Sequence, residues 1–237
     1  MSKTPKYRPV PLALSLLVAT FSALVALAVS GGHEAMAHGN SDQQASMHAN
    51  VAASPSITMK EFGLRNEMRK LWEDHVTWTR VAIISLVSGS PDTNASVTRL
   101  LRNQSDIGNA IKPFYGPAAG KQLTVLLREH ITIAADLIAA AKAGDKAKLA
   151  ETQSAWQQNG DRIAVFLNGA NPQAWKLADL KAMFREHLRL TTEEAVDRLQ
   201  GKWAADVRAY DQIHVQILAM ADMLSAGIVQ QFPQRFR

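Results

Sequence analysis

The feature that most constrains this chain is the spacing of its apolar residues from Thr58 onward. Large apolar side chains recur at steps of three and four, as in the run Leu64, Met68 and Leu71. This spacing places them on one face of an α-helix. No stretch alternates apolar and polar residues in the manner of a half-buried strand. The sequence therefore predicts an all-α fold.

Turn and capping residues divide the helical pattern into about six predicted helices. Thr58 and Glu61 have the spacing of a capping box, which satisfies free N–H groups where a helix starts. Glycine or proline follows the apolar pattern at several points, as at many helix C-termini. The helices are expected to form an antiparallel up-and-down bundle. Their predicted ranges are 58–88, 96–111, 117–143, 145–170, 171–200 and 203–231.

Three of these helices carry the same local sequence, an acid followed directly by a histidine. A glycine follows each histidine at the same interval along the chain, and the flanking apolar positions match. The matching spacing predicts a helical-hairpin repeat of about 56 residues that occurs three times. The three pairs are Asp74-His75, Glu129-His130 and Glu186-His187, and their glycines are Gly89, Gly144 and Gly201.

This register predicts a polar layer at the middle of the bundle. At about 1.5 Å per residue, each histidine lies about 20 Å before the end of its helix. His214 follows Gly201 by a similar interval on an antiparallel helix, so it is expected at the same height, as is Asn159. The apolar phase around the histidines turns them inward. The candidate metal ligands of this layer are His75, His130, His187, His214, Glu129, Glu186, Glu194 and Asp211.

Two main interpretations of the layer remain open. Neutral imidazoles with carboxylates suit iron, zinc, copper or manganese, and an acid behind a histidine commonly fixes its tautomer. Asp211 and His214 also have nearly the spacing of di-metal bundles. In the alternative interpretation the histidines are satisfied core residues of a metal-free interaction or scaffold module. An enzyme with an acid–base histidine is a third interpretation, but none of the common catalytic motifs is present.

The N-terminus predicts export. Basic residues precede Leu12–Val29, an apolar stretch without a charged residue, and Ala35-Met36-Ala37 offers a cleavage pattern. This order is typical of a signal peptide, here residues 1–37, although the apolar stretch is also just long enough for an uncleaved membrane anchor. A polar linker over 38–57 and a helical domain over 58–232 follow. The domain is therefore expected to be periplasmic or secreted.

Composition excludes several classes of site and partner. The 237 residues include no cysteine, which excludes disulfides, thiolate metal sites and a cysteine nucleophile. The net charge is +5, and +3 without residues 1–37. No dense basic run with interleaved aromatic residues occurs, so no nucleic-acid partner is predicted. Membrane contact is expected only through an uncleaved N-terminal segment, and no protein partner can be identified.

Three segments resemble a family of bacterial helical proteins that has no assigned activity. They are Leu71–Arg80, Pro113–Gly116 and Glu186–Thr191, and the similarity extends from about Glu67 to Phe232. The resemblance implies a helical fold and transfers no functional residue to this chain.

Overall fold

The computed structural model describes residues 57–237, which are all-helical and contain no strand. Thr58–Arg237 forms one compact unit. The predicted signal peptide and nearly all of the predicted linker lie outside the described residues. The helices are α1 (Met59–Ser88), α2 (Thr93–Ala143), α3 (Lys146–Ala170), α4 (Leu177–Leu199) and α5 (Trp203–Gln231), followed by a 3-10 turn (Pro233–Arg235).

Capping residues mark half of these boundaries. Thr58 Oγ1 accepts a hydrogen bond from the main-chain N–H of the third residue of α1, and the Asp145 carboxylate does the same at the start of α3. Such caps satisfy N–H groups that have no partner within the helix. Gly89, Gly144 and Gly201 have φ values of 68°, 72° and 71°. This left-handed conformation favours glycine and ends a helix.

Helix α2 takes the place of two predicted helices. It is assigned as one element, but Gly116 has φ 85° and ψ 166°, which is not helical. The chain reverses direction at Gly116. The reversal brings Arg128 next to Leu101, and Arg128 Nη1 donates to the main-chain oxygen of Leu101 at 3.0 Å. We name the two arms α2a (93–115) and α2b (117–143). The Gly116 break lies in the Pro113–Pro117 segment, between the predicted helices 96–111 and 117–143.

Helix α4 starts later than predicted, at Leu177 rather than Asn171-Pro172. The Asn171 side chain is engaged elsewhere. It donates to the main-chain oxygen of Gly227 on α5 at 2.9 Å and accepts from the N–H of Ala174 at 3.2 Å. These bonds hold residues 171–176 as a turn against α5.

The helices pack in a closed ring, in the order α1, α2, α3, α4, α5 and back to α1. Their apolar stripes face a common interior. Helix α5 is long and apolar enough to cross a membrane. Its buried face, which includes Ile217, Met220 and Ile228, nevertheless forms part of this core.

The alternating helix directions give the bundle two distinct ends. We name the end that carries Gly89, Gly144 and Gly201 the glycine end, and the opposite one the tail end. At the tail end, Thr58 Oγ1 donates to the Phe236 oxygen at 2.6 Å. The tail end is closed by an aromatic cluster with ring centroids 5.4–5.8 Å apart: Phe114, Tyr115, Trp175, Phe232 and Phe236.

Candidate functional site

Three of the four predicted histidines meet in the core. His75 on α1, His130 on α2b and His187 on α4 have only 2%, 4% and 4% of their surface exposed. The ring centroid of His187 lies 5.9 Å from that of His75 and 6.2 Å from that of His130. Trp72 and Trp156 flank the cluster, with centroids 5.6 Å from His75 and 5.2 Å from His130. His187 is therefore the central ring of a buried three-histidine cluster.

Side-chain amides fix two of the three rings. Asn159 Oδ1 lies 2.8 Å from His130 Nδ1, and Gln216 Oε1 lies 3.2 Å from His187 Nδ1. Each amide nitrogen donates to the main-chain oxygen four residues before its histidine, Leu126 or Met183. An amide oxygen can only accept, so each Nδ1 carries the hydrogen. The Nε2 atoms of His130 and His187 therefore keep their lone pairs.

The surroundings of His75 follow this arrangement only in part. Asn103 Nδ2 donates to the main-chain oxygen of Leu71, again four residues before the histidine, at 3.0 Å. Asn103 Oδ1, however, accepts from Gln104 Nε2 rather than from His75. Within the described residues, His75 Nδ1 and Gln104 Oε1 have no hydrogen-bond partner. Gln104 nevertheless lies close enough to His75 to oppose the lowering of its pKa, so His75 also has an amide neighbour.

Burial keeps all three imidazoles neutral. Desolvation is the largest cause that lowers their pKa values, and repulsion between the rings adds to it for His75 and His130. The pKa of His130 falls to about 3 and that of His187 to about 4, although their amide partners oppose the shift. The pKa of His75 lies well below its ordinary value. At neutral pH the cluster therefore consists of three uncharged imidazole rings, whose lone pairs could serve as metal ligands.

His214 does not join this cluster. Its Nε2 lies 3.2 Å from Glu73 Oε1, and its side chain is 34% exposed. Its ring neighbours Tyr210, at a centroid distance of 6.2 Å. The layer that we expected to contain four histidines brings together three of them.

The predicted carboxylates have arginine partners or face solvent. Glu129 pairs with Arg162 at 2.5 Å, and Glu186 pairs with Arg189 at 2.6 Å. Asp211 is exposed. Within residues 57–237, no three histidine or carboxylate side chains are already arranged around a point that a metal ion could occupy.

Glu194 belongs to a separate buried ion-pair network near the glycine end. Arg80 Nη1 contacts Glu194 at 2.7 Å and Asp206 at 2.8 Å, and Arg198 contacts Asp206 at 3.1 Å. Burial raises the pKa of Glu194 to about 7, against the opposing effect of Arg80. Arg80, Arg198 and Asp206 were not identified from the sequence, because no local pattern marks residues that meet across three helices.

Most of the amides were also missed at the level of sequence. Asn159 was placed at the height of the histidines, but Asn103, Gln104 and Gln216 were not recognised. Their spacing in the sequence could have identified three of the four. Asn103 follows His75, Asn159 follows His130 and Gln216 follows His187, each at nearly the same interval along the chain. A shared interval from three similar helices marks positions that face the histidines across a hairpin.

Two small cavities lie in the described core. One, of about 40 Å³, is lined by apolar residues around Leu100, Ile131 and Ala195, and the other has about 10 Å³. Pockets for organic substrates usually have about 300–1,000 Å³. Neither cavity can hold such a substrate.

Comparison with protein-family models, curated proteins and solved structures finds no match for this chain. The geometry of the site is therefore the basis for any functional conclusion.

Proposed function

We propose that this protein binds one transition-metal ion between His75, His130 and His187, with His187 as the central ligand. The observation that carries this proposal is the convergence of three neutral imidazoles from separate helices in the core. The Nδ1–H groups of His130 and His187 bond amide oxygens, as the second nitrogen of a metal-bound histidine commonly does. Their Nε2 lone pairs are then the available metal ligands.

The ring separations are close to those that a shared ion requires. With a metal–nitrogen distance of about 2.1 Å, two rings on one ion have centroids at most about 6.4 Å apart, and about 5.5 Å in a trigonal site. The observed separations of 5.9 and 6.2 Å lie within that limit. Both separations exceed the trigonal value, so binding requires His75 and His130 to turn and to move closer to His187. His75 Nδ1 has no hydrogen bond that must be broken when this ring turns, among the described residues.

Copper in its +1 state is the ion best suited to this site. The ligands are neutral and buried, so the charge of the ion remains uncompensated, and a larger charge costs more to bury. This cost favours Cu⁺ over divalent zinc, iron or manganese. Manganese also prefers the carboxylate oxygens that this cluster lacks.

We further infer that the protein consists of three related helical hairpins, α1–α2a, α2b–α3 and α4–α5. Each hairpin contributes a histidine from its first arm. An amide from its second arm bonds the main-chain oxygen four residues before that histidine. A protein built this way would bring one histidine from each hairpin to the middle of the bundle.

The test is an anaerobic titration of Cu⁺ in competition with a chromophoric Cu⁺ chelator. Protein isolated from its own cells is expected to bind one equivalent of Cu⁺. N-terminal sequencing of the same protein that starts at His38 would support export and cleavage of the signal peptide. His187→Ala should abolish binding, whereas His214→Ala, a change at a surface histidine, should retain it. Binding below a tenth of an equivalent by the wild type, or equal binding by both variants, would contradict the proposal.

A metal-free interaction module is the second candidate function. The observation that favours it is that His130 and His187 already have hydrogen-bond partners, while no preformed ion site exists within residues 57–237. The histidines would then fix the helix register, as buried polar networks can. In that case the wild type should bind no copper, and the only effect of His187→Ala should be a lower free energy of unfolding.

A further inference from the structure

The charges of the bundle are unevenly divided between its two ends. The glycine end (85–96, 140–151 and 195–206) carries five basic and five acidic residues. The tail end (58–62, 110–121, 170–181 and 228–237) carries seven basic residues and only two acidic ones, Glu61 and Asp179. The seven basic residues are Lys60, Lys112, Lys121, Lys176, Lys181, Arg235 and Arg237.

Most cations of the tail end are available for an external partner. Lys60 Nζ donates to the main-chain oxygen of Arg237 at 2.8 Å, and Lys176 Nζ donates to that of Pro172 at 3.1 Å. Arg235 likewise donates to a main-chain oxygen, that of Pro113. The Pro172 and Pro113 oxygens are uncharged, so the charges of Lys176 and Arg235 are not neutralised, whereas the Arg237 oxygen belongs to a carboxylate. Lys181 differs, since its Nζ contacts a carboxylate of α3 at 3.1 Å.

Large apolar side chains project among these cations. Met59 is 82% exposed, Phe62 51% and Leu177 37%. Met59 and Phe62 lie in the first turn of α1, and Leu177 is the first residue of α4. Apolar side chains surrounded by lysine and arginine are typical of surfaces that rest on a lipid bilayer, where the apolar groups enter the acyl boundary and the cations meet headgroups.

The position of this surface along the chain also favours a membrane. Only the segment 30–57 separates the uncharged stretch Leu12–Val29 from the domain, and the chain enters the domain at Thr58, which lies at the tail end. In the alternative in which Leu12–Val29 is an uncleaved anchor, residues 30–57 are the only sequence between that anchor and the first residue of the tail end.

We propose that the tail end docks on anionic lipid bilayers through Met59, Phe62, Leu177 and the surrounding lysines and arginines. The proposal is independent of the metal site. Each basic residue near an anionic surface strengthens binding about fivefold. A zwitterionic bilayer supplies no such attraction, and salt screens it.

The test uses the full chain with a single environment-sensitive fluorophore, which the absence of native cysteine makes simple. Met59→Cys places the fluorophore at the tail end. Lys146→Cys is the matched control, since it is the exposed first residue of α3 at the glycine end. Vesicles contain phosphatidylcholine with or without phosphatidylglycerol. We expect a blue shift only at position 59, only with phosphatidylglycerol, and reversal by high salt.

Charge reversal completes the experiment. The double variant Lys60→Glu with Lys176→Glu should lower the affinity for anionic vesicles, measured with the fluorophore at position 59, at least about 25-fold. Lys146→Glu with Lys148→Glu, at the opposite end, should change it less than twofold. An equal response at positions 59 and 146, or an equal response to both lipid compositions, would overturn the proposal.

Discussion

At the scale of single residues, the histidines are defined by the amides that hold them. Asn159 is fully buried, and its side chain joins His130 to the main chain of Leu126. Asn159→Leu would leave both partners without a hydrogen bond in the core, and each such loss costs about 1–3 kcal/mol. We expect the free energy of unfolding to fall by about 2–4 kcal/mol in urea denaturation at pH 7. Gln158→Ala, a change at the exposed neighbouring residue, should stay within about 0.5 kcal/mol. Equal losses in the two variants would show that the amide does not hold the ring.

The residue scale also shows where sequence reasoning fails. Height along the helices, taken from the glycines, correctly indicated that His75, His130 and His187 would lie level. Height alone could not place His214, because Ile213 and Ile217 centre the buried stripe of α5 and His214 lies on one flank of that stripe, beside Glu73, while Gln216 lies on the flank that meets His187. Each acid before a histidine is turned by about 100°, toward the helix surface, where a basic residue pairs with it: Lys70 with Asp74, Arg162 with Glu129 and Arg189 with Glu186.

At the scale of elements, α2 shows which contacts a helical pattern leaves undetermined. The turn at Pro113–Pro117 is visible in the sequence, but the closeness of the arms is not. It depends on Gly108 and Gly120, since a Cβ built on Gly108 would lie 2.5 Å from the Gly120 oxygen. The start of α4 was misplaced for a similar reason, because a contact between Asn171 and Gly227 overrides the local signal of Pro172.

Alanine substitution separates packing from helix propensity. Gly108→Ala should lower the free energy of unfolding by about 2–3 kcal/mol, because the arms must separate to admit the methyl group. Gly63→Ala is the matched control in α1, where a Cβ meets nothing within 4 Å. It should raise stability by about 0.5–1 kcal/mol, the usual advantage of alanine within a helix. The measurement is urea denaturation, and a similar effect of both changes would contradict the close approach of the arms.

At the scale of the whole molecule, the core combines groups whose protonation opposes folding with one whose protonation favours it. The native pKa values of the three histidines lie below the ordinary 6.5, so the unfolded chain binds more protons and stability falls as pH drops from about 6.5 toward 4. Glu194 has the opposite effect, because its raised pKa of about 7 makes the folded chain hold a proton between pH 4.5 and 7. One titrating group changes the free energy of unfolding by at most about 1.4 kcal/mol per pH unit. The loss caused by three histidines on acidification is therefore larger than the gain caused by one glutamate.

The free energy of unfolding of the metal-free protein should therefore fall by up to about 3 kcal/mol per pH unit on acidification through this range. The three histidines together account for a loss of about 4 kcal/mol per pH unit, and Glu194 offsets about 1.4 kcal/mol of it. The measurement is urea denaturation at pH 7, 6, 5 and 4.5 in the presence of a chelator. Glu194→Gln removes the opposing contribution and should steepen the loss. His214→Ala should leave the slope nearly unchanged, because that histidine is one-third exposed and outside the cluster. A free energy of unfolding that is constant from pH 7 to 4.5 would mean that the three rings are not buried in their neutral form, and the basis for a neutral metal-binding site would be lost with it.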